Sequence, residues 1–217
     1  MKAIQIILIL LMFAIGIFMY SDMPDEMPTH WNSQGDADGY SSRFIGLFLL
    51  PIISLGLFIL FYYIPRISVY NINAFKKYYE YFITGFITFL VLLYIGTVIY
   101  AIMPFPFNYY IVPLIAALFY LIGYILKYCK RNYFIGIRTP WTLASENVWD
   151  KTHQVGSFVF RLIPFALLIG LLFPDYVIWL LLIAVLLNAA FFVLYSYWLY
   201  KKEGHPKVKI KRRKRKK

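Results

Sequence analysis

Tyr109-Tyr-Ile-Val-Pro-Leu-Ile-Ala-Ala-Leu-Phe-Tyr-Leu-Ile-Gly-Tyr-Ile-Leu-Lys127 meets no charged side chain before its last residue. At about 1.5 Å of rise per residue, a helix of this length nearly crosses a hydrocarbon core of about 30 Å. Five further runs of the same character lie at about 3–20, 45–64, 81–103, 158–173 and 176–199. Only helices and closed barrels satisfy backbone polar groups in lipid, and the alternating ten-residue segments of a barrel are absent. The expected fold class is therefore all-α, a polytopic membrane helix bundle with six transmembrane helices. Composition agrees: 61% of residues are hydrophobic and 15% charged, against roughly 45–50% and about 25% in soluble domains.

The basic residues set the expected orientation. Arg66, Lys76 and Lys77 follow the second span, while Lys127, Lys130, Arg131, Arg138 and Lys151 follow the fourth, and the C-terminal tail is densely basic. The first outer loop holds Arg43 among Asp22, Asp25, Glu26, Asp36 and Asp38. Positive charge collects on the cytoplasmic side, which gives an N-in, C-in topology and a cell-membrane location with both termini cytoplasmic. The first run is expected to be a retained helix, because Phe18-Met-Tyr-Ser21 is a poor signal-cleavage site. The single cysteine, Cys129, excludes an internal disulfide and any cysteine-based metal motif.

Two polar passages interrupt the spans. The outer one contains Met23-Pro-Asp-Glu-Met-Pro-Thr-His-Trp-Asn-Ser-Gln-Gly35. Pro24 and Pro28 disfavour helix, and Asn32 to Gly35 is turn chemistry, so a compact ordered loop is expected. A calcium-loop register fails because Ile45 stands where a bidentate Glu is required. An exposed Trp31 beside His30 suits recognition of a partner, since aromatic anchors carry much of interface energy. Pro24, Pro28, His30, Trp31, Asn32 and Gly35 are the candidate outer recognition residues.

The inner passage runs from Asn132 through Trp149 to His153. A turn around Gly136 should lead to Pro140 as first residue of a helix capped by Thr139, with Thr142 or Ser145 as alternative caps. From Ser145 onward helical spacing predicts an amphipathic cytoplasmic helix before the fifth span. Its apolar arc would place Trp149 at the membrane interface, with Glu146, Asp150 and His153 on an opposite polar arc. The i, i+4, i+7 spacing of those three could converge on an ion or proton, although any solvated helix face has the same spacing. Arg138 is expected to pair with Glu146 or Asp150, or else with lipid phosphate.

The tail, 207–217, contains Lys211, Arg212, Arg213, Lys214 and Arg215 and supplies much of the net charge of +12. Anionic lipid is its expected partner. Nucleic acid is not, because no stacking platform accompanies the run. The spans carry almost nothing ionisable, Asn188, Thr84, Thr88, Thr97 and Arg161 being their main polar residues, which argues against an ion-coupled transporter. No serine elbow, zinc-protease histidine pair or phosphate loop is present, so neither enzyme activity, nor a metal, nor a cofactor is expected.

The inner passage resembles the signature of the SdpI family through Asn132, Ile135-Gly136-Ile137-Arg138-Thr139-Pro140-Trp141-Thr142-Leu143, Glu146 and Trp149. The outer stretch Met23 to Asn32, with Gly35 and Gly39, is similar to the domain of unknown function that opens many members. The resemblance implies an integral membrane immunity protein that protects its cell against a secreted sporulation-delaying toxin peptide, and a signal receiver that holds a cytoplasmic transcriptional repressor at the membrane. It divides the chain into 1–65, a third span within 66–104, an SdpI-like region at 105–200 and the tail at 201–217. Asn132, Gly136, Arg138, Thr139, Pro140, Trp141, Glu146, Trp149, Asp150 and His153 would be the partner-binding residues of the inner signature. The alternatives are a small-solute or lipid transporter, with a cavity lined by Asn188 and the threonines, and a membrane-embedded hydrolase using His153 with Glu146 or Asp150.

Overall fold

The computed structural model describes residues 1–68 and 72–204. Six of its helices are long and apolar enough to cross a membrane. In chain order the helices are α1 (Lys2–Met19), α2 (Arg43–Ile67), α3 (Lys76–Ile102), α4 (Asn108–Leu126), α5 (Pro140–Ala144), α6 (Glu146–Gly170) and α7 (Pro174–Lys202). A single 3-10 turn at Ile72–Phe75 leads into α3. The polytopic helical class is thus as expected, and all six apolar runs fall on helices.

The fifth span differs in extent from the expectation. Instead of a separate amphipathic helix followed by a span, α6 is one helix of 25 residues. Ser145 starts it by accepting a hydrogen bond from the Val148 N–H at 3.2 Å, and no residue between the polar and apolar halves ends it. Only the five-residue α5 stands apart.

The outer loop adds a second kind of structure to an otherwise helical chain. It is an antiparallel hairpin of β1 (Glu26–Trp31) and β2 (Ala37–Ser42), with irregular register between Pro28 and Trp31. The turn is made by Asn32, whose Oδ1 accepts from the backbone N–H groups of Gln34 and Asp36, both at 3.0 Å. Gly35 takes a φ of 88°, a left-handed conformation that suits glycine. Met27 is buried where the hairpin meets α2, and a Cβ on Gly46 would lie 2.6 Å from the Met27 Cβ. That glycine permits the close approach.

Buried apolar side chains form two clusters. One joins α1, α2, α3 and the hairpin, and also takes in Cys129 and Trp149. The other lies among α4, α6 and α7 around Val112, Ala116, Ile163, Leu167 and Val177. α4 and α6 pack most extensively, and Gly123 makes this possible because a Cβ there would sit 2.9 Å from the Arg161 backbone nitrogen. Small residues at such crossings let membrane helices approach closely. Large apolar side chains such as Phe18, Leu172 and Tyr176 point outward, as a lipid-facing surface requires.

Asn108 links the hairpin to the second cluster. Its buried Nδ2 donates to the Ser33 carbonyl at 2.9 Å and to the Pro174 carbonyl at 3.1 Å. One amide thereby joins the hairpin turn, the start of α4 and the start of α7. Asn108→Ala removes both bonds and should cost about 1–3 kcal/mol. The expected result is a lower unfolding midpoint in detergent with faster proteolysis at 32–36, and an unchanged midpoint and cleavage rate would contradict this linkage.

Candidate functional site

The connection from α4 to α6 is built around three side chains. Asn132 is fully buried and satisfies a whole turn: its Oδ1 accepts from the N–H groups of Phe134 at 2.8 Å and Ile135 at 2.7 Å, while Nδ2 donates to the carbonyls of Lys130 at 2.8 Å and Ile135 at 3.0 Å. Trp149, also fully buried, donates from Nε1 to the Cys129 carbonyl at 2.8 Å. His153 stacks on Trp149, with ring centroids 4.0 Å apart and planes at 17°.

Both nitrogens of His153 are occupied. Nε2 accepts from the Ile137 N–H at 3.0 Å, and Nδ1 lies 2.8 Å from the Trp149 carbonyl. A nitrogen that accepts from an amide carries no proton, so Nδ1 is the protonated position and donates to that carbonyl. Gly136 sits directly against the ring with a φ of 111°, and a Cβ there would lie 2.4 Å from His153 Nε2. The turn therefore needs glycine for two reasons, backbone conformation and space.

Beyond the turn, Thr139 and Thr142 form a reciprocal cap of α5. The Thr139 N–H donates to Thr142 Oγ1 at 2.9 Å, and the Thr142 N–H donates to Thr139 Oγ1 at 3.2 Å. Thr139 Oγ1 also donates to Ser196 Oγ at 2.9 Å, which ties the loop to α7. Pro140 occupies the first turn of α5 as expected, and Trp141 packs on Tyr197 with centroids 5.0 Å apart. Ser145 Oγ donates to Glu203 Oε2 at 2.8 Å, and Asn147 donates to the same carboxylate. The caps and the turn at Gly136 thus lie where the sequence placed them, whereas Asn132, expected among the partner-binding residues, is fully buried and spends its side chain on its own turn.

Three expectations need correction, those for Trp149, for His153 and for Arg138. Trp149 is an interior residue, not an interfacial one, because the loop folds over it. His153 lies on the same buried face as Trp149, whereas Glu146 is exposed and Asp150 half-buried, so the three do not share a polar arc. Among the described residues no group of three or more His, Cys, Asp or Glu is placed to hold a metal ion. Arg138 does not pair with Glu146 or Asp150: its guanidinium donates to the Tyr133 carbonyl at 2.5 Å and remains exposed.

On the hairpin, Trp31 is half-buried rather than exposed. Its ring stacks on Phe107 with centroids 4.2 Å apart and meets Tyr100 edge-on at 5.5 Å. His30 is exposed, with Nδ1 2.5 Å from Asp38 Oδ1 on the facing strand. Pro24 is exposed and Pro28 buried. Asn188 faces a cleft with Phe119, Phe160 and Phe192, whereas Thr84 and Thr88 line a different cleft and Thr97 a third. The residues Lys211 to Arg215 lie outside the described residues.

Asn108 was not foreseen as a structural residue of these sites. Cys129 is buried beside Asn132, with Nδ2 3.5 Å from Sγ, and burial pushes its thiol up to about 12. It is therefore a protonated, unreactive thiol at neutral pH.

The fold and its two polar ends define a multi-pass helical membrane protein with an ordered signature loop. Residues 128–196 match the SdpI/YfhL protein family and residues 7–55 match a domain of unknown function, DUF1648, so the SdpI-family resemblance read from the sequence is borne out. The chain is 28% identical over 204 residues to the immunity protein SdpI of Bacillus subtilis (strain 168), covering 92% of this chain and 95% of that protein. No solved structure matches.

Gly136→Ala forces a methyl against His153 and should open the loop over Trp149 and Cys129. At neutral pH a maleimide is expected to leave Cys129 unmodified in the folded natural sequence and to label it in Gly136→Ala. Equal, rapid labelling of both would contradict the buried arrangement.

Proposed function

We propose that this chain is an immunity protein that protects its cell from a secreted, membrane-active toxin peptide. The observation that carries the reading is the similarity to the immunity protein SdpI, which runs through nearly the whole of both chains and includes both polar passages. In this reading the chain sits N-in and C-in, consistent with its Lys and Arg distribution. The hairpin then faces the toxin and the Asn132–His153 loop faces the cytoplasm.

The proposal extends to a relay. The hairpin turn is bonded through Asn108 to the starts of α4 and α7, while the other ends of α4 and α7 hold the loop through Cys129 and Ser196. A peptide that binds one arrangement of the hairpin better than another would shift these helices, because a ligand moves an equilibrium only through differential affinity. The exposed Arg138 and Glu146, with the half-buried Asp150, then offer the surface that a cytoplasmic repressor would read.

Expression in a toxin-sensitive strain, with membrane potential followed during exposure to the cognate peptide, tests the immunity reading. Cells carrying the protein should hold their potential while control cells depolarise. Depolarisation as fast as the controls, at matched membrane expression, would overturn it.

A further inference from the structure

At the end of the bundle opposite the hairpin, α1, α2 and α3 enclose a cleft of about 170 Å³. Its polar rim brings together Lys2 from the start of α1, Arg66 from the end of α2 and Lys76 from the start of α3. Tyr62 organises two of these cations: Lys2 Nζ lies 4.4 Å from the ring centroid, the Arg66 guanidinium lies 4.7 Å from it, and Arg66 Nη2 donates to the Tyr62 hydroxyl at 2.9 Å. Among the described residues no carboxylate lies within ion-pair distance of Lys2, Arg66 or Lys76. Glu80 is the one carboxylate of the lining, which leaves a formal excess of positive charge.

Cations drawn together without carboxylate partners repel one another, so an anion that bridges them is favoured. The rest of the lining is largely apolar, with Phe58, Phe61 and Ile83 beside the buried Gln5, and the cleft opens beside helices whose outward faces suit acyl chains. A polar rim of three cations above an apolar wall, at a membrane-helix end, has the chemistry that holds a lipid phosphate. We propose that this cleft binds the phosphate headgroup of an anionic phospholipid, with Lys2, Arg66 and Lys76 as its ligands and Tyr62 as the platform that positions two of them. No residue of the signature loop lines the site.

The full chain, purified in zwitterionic detergent, is mixed with phosphatidylglycerol and with phosphatidylcholine, and bound lipid is counted by native mass spectrometry. Phosphatidylglycerol should be retained preferentially, and each of Lys2→Gln, Arg66→Gln and Lys76→Gln should weaken its binding about fivefold. Glu80→Gln removes the opposing charge and should strengthen retention, a gain that a misfolded variant would not give. Neutralising the tail at 211–215 should leave the cleft-dependent part of the binding in place. Retention unaffected by the three substitutions, or abolished by the tail substitutions alone, would overturn the proposal. In a lipid-free arm, inorganic phosphate that binds the cleft as tightly as phosphatidylglycerol would overturn the assignment to lipid.

Discussion

The hydrogen bond from the Ile137 N–H to His153 Nε2 is the constraint on which the signature loop depends. A chain that leaves one membrane helix and enters the next must satisfy the backbone groups of the turn, and an unpaired buried N–H costs about 1–3 kcal/mol. His153 meets that need from inside α6. Its own orientation is held by the Trp149 carbonyl and by stacking on the Trp149 ring. Trp149 in turn fixes the exit from α4 through the Cys129 carbonyl. Two residues one helical turn apart thus secure both limbs of the loop, and Gly136 is the residue that fits over them.

The spans were legible because lipid imposes length and apolarity together, and each apolar run falls on a helix, although α6 begins well before its run. The hairpin was legible only as a compact loop. Its strands have six residues each, their sequences show little apolar–polar alternation although burial alternates along β2, and Pro28 in β1 gives no strand signal. Its ordering comes from distant partners: Phe107 under Trp31, Gly46 against Met27, and Asn108 below the turn. No local pattern marks Asn108, whose hydrogen-bond partner Ser33 lies 75 residues away.

The error over His153 has a specific cause. Residues four apart on a helix are separated by only about 40°, so Trp149 and His153 belong to one face. Sorting the segment by polarity divided them. The inward face of this part of α6 is set by the loop that covers it, and that cover supplies the hydrogen bonds a buried imidazole requires. Arg138 was misread for a related reason: the nearest strong acceptor is the Tyr133 carbonyl of its own turn, not a carboxylate on the following helix.

Together these contacts make the two polar ends of the protein parts of one helical framework, which is the property a membrane receptor for a peptide would use. The framework stands or falls on the state of His153. In the purified protein, nitrogen chemical shifts of the imidazole report which ring nitrogen is protonated. The structure requires a neutral ring at neutral pH with the proton on Nδ1 and an unprotonated, hydrogen-bonded Nε2. A proton on Nε2, alone or together with Nδ1, would contradict it.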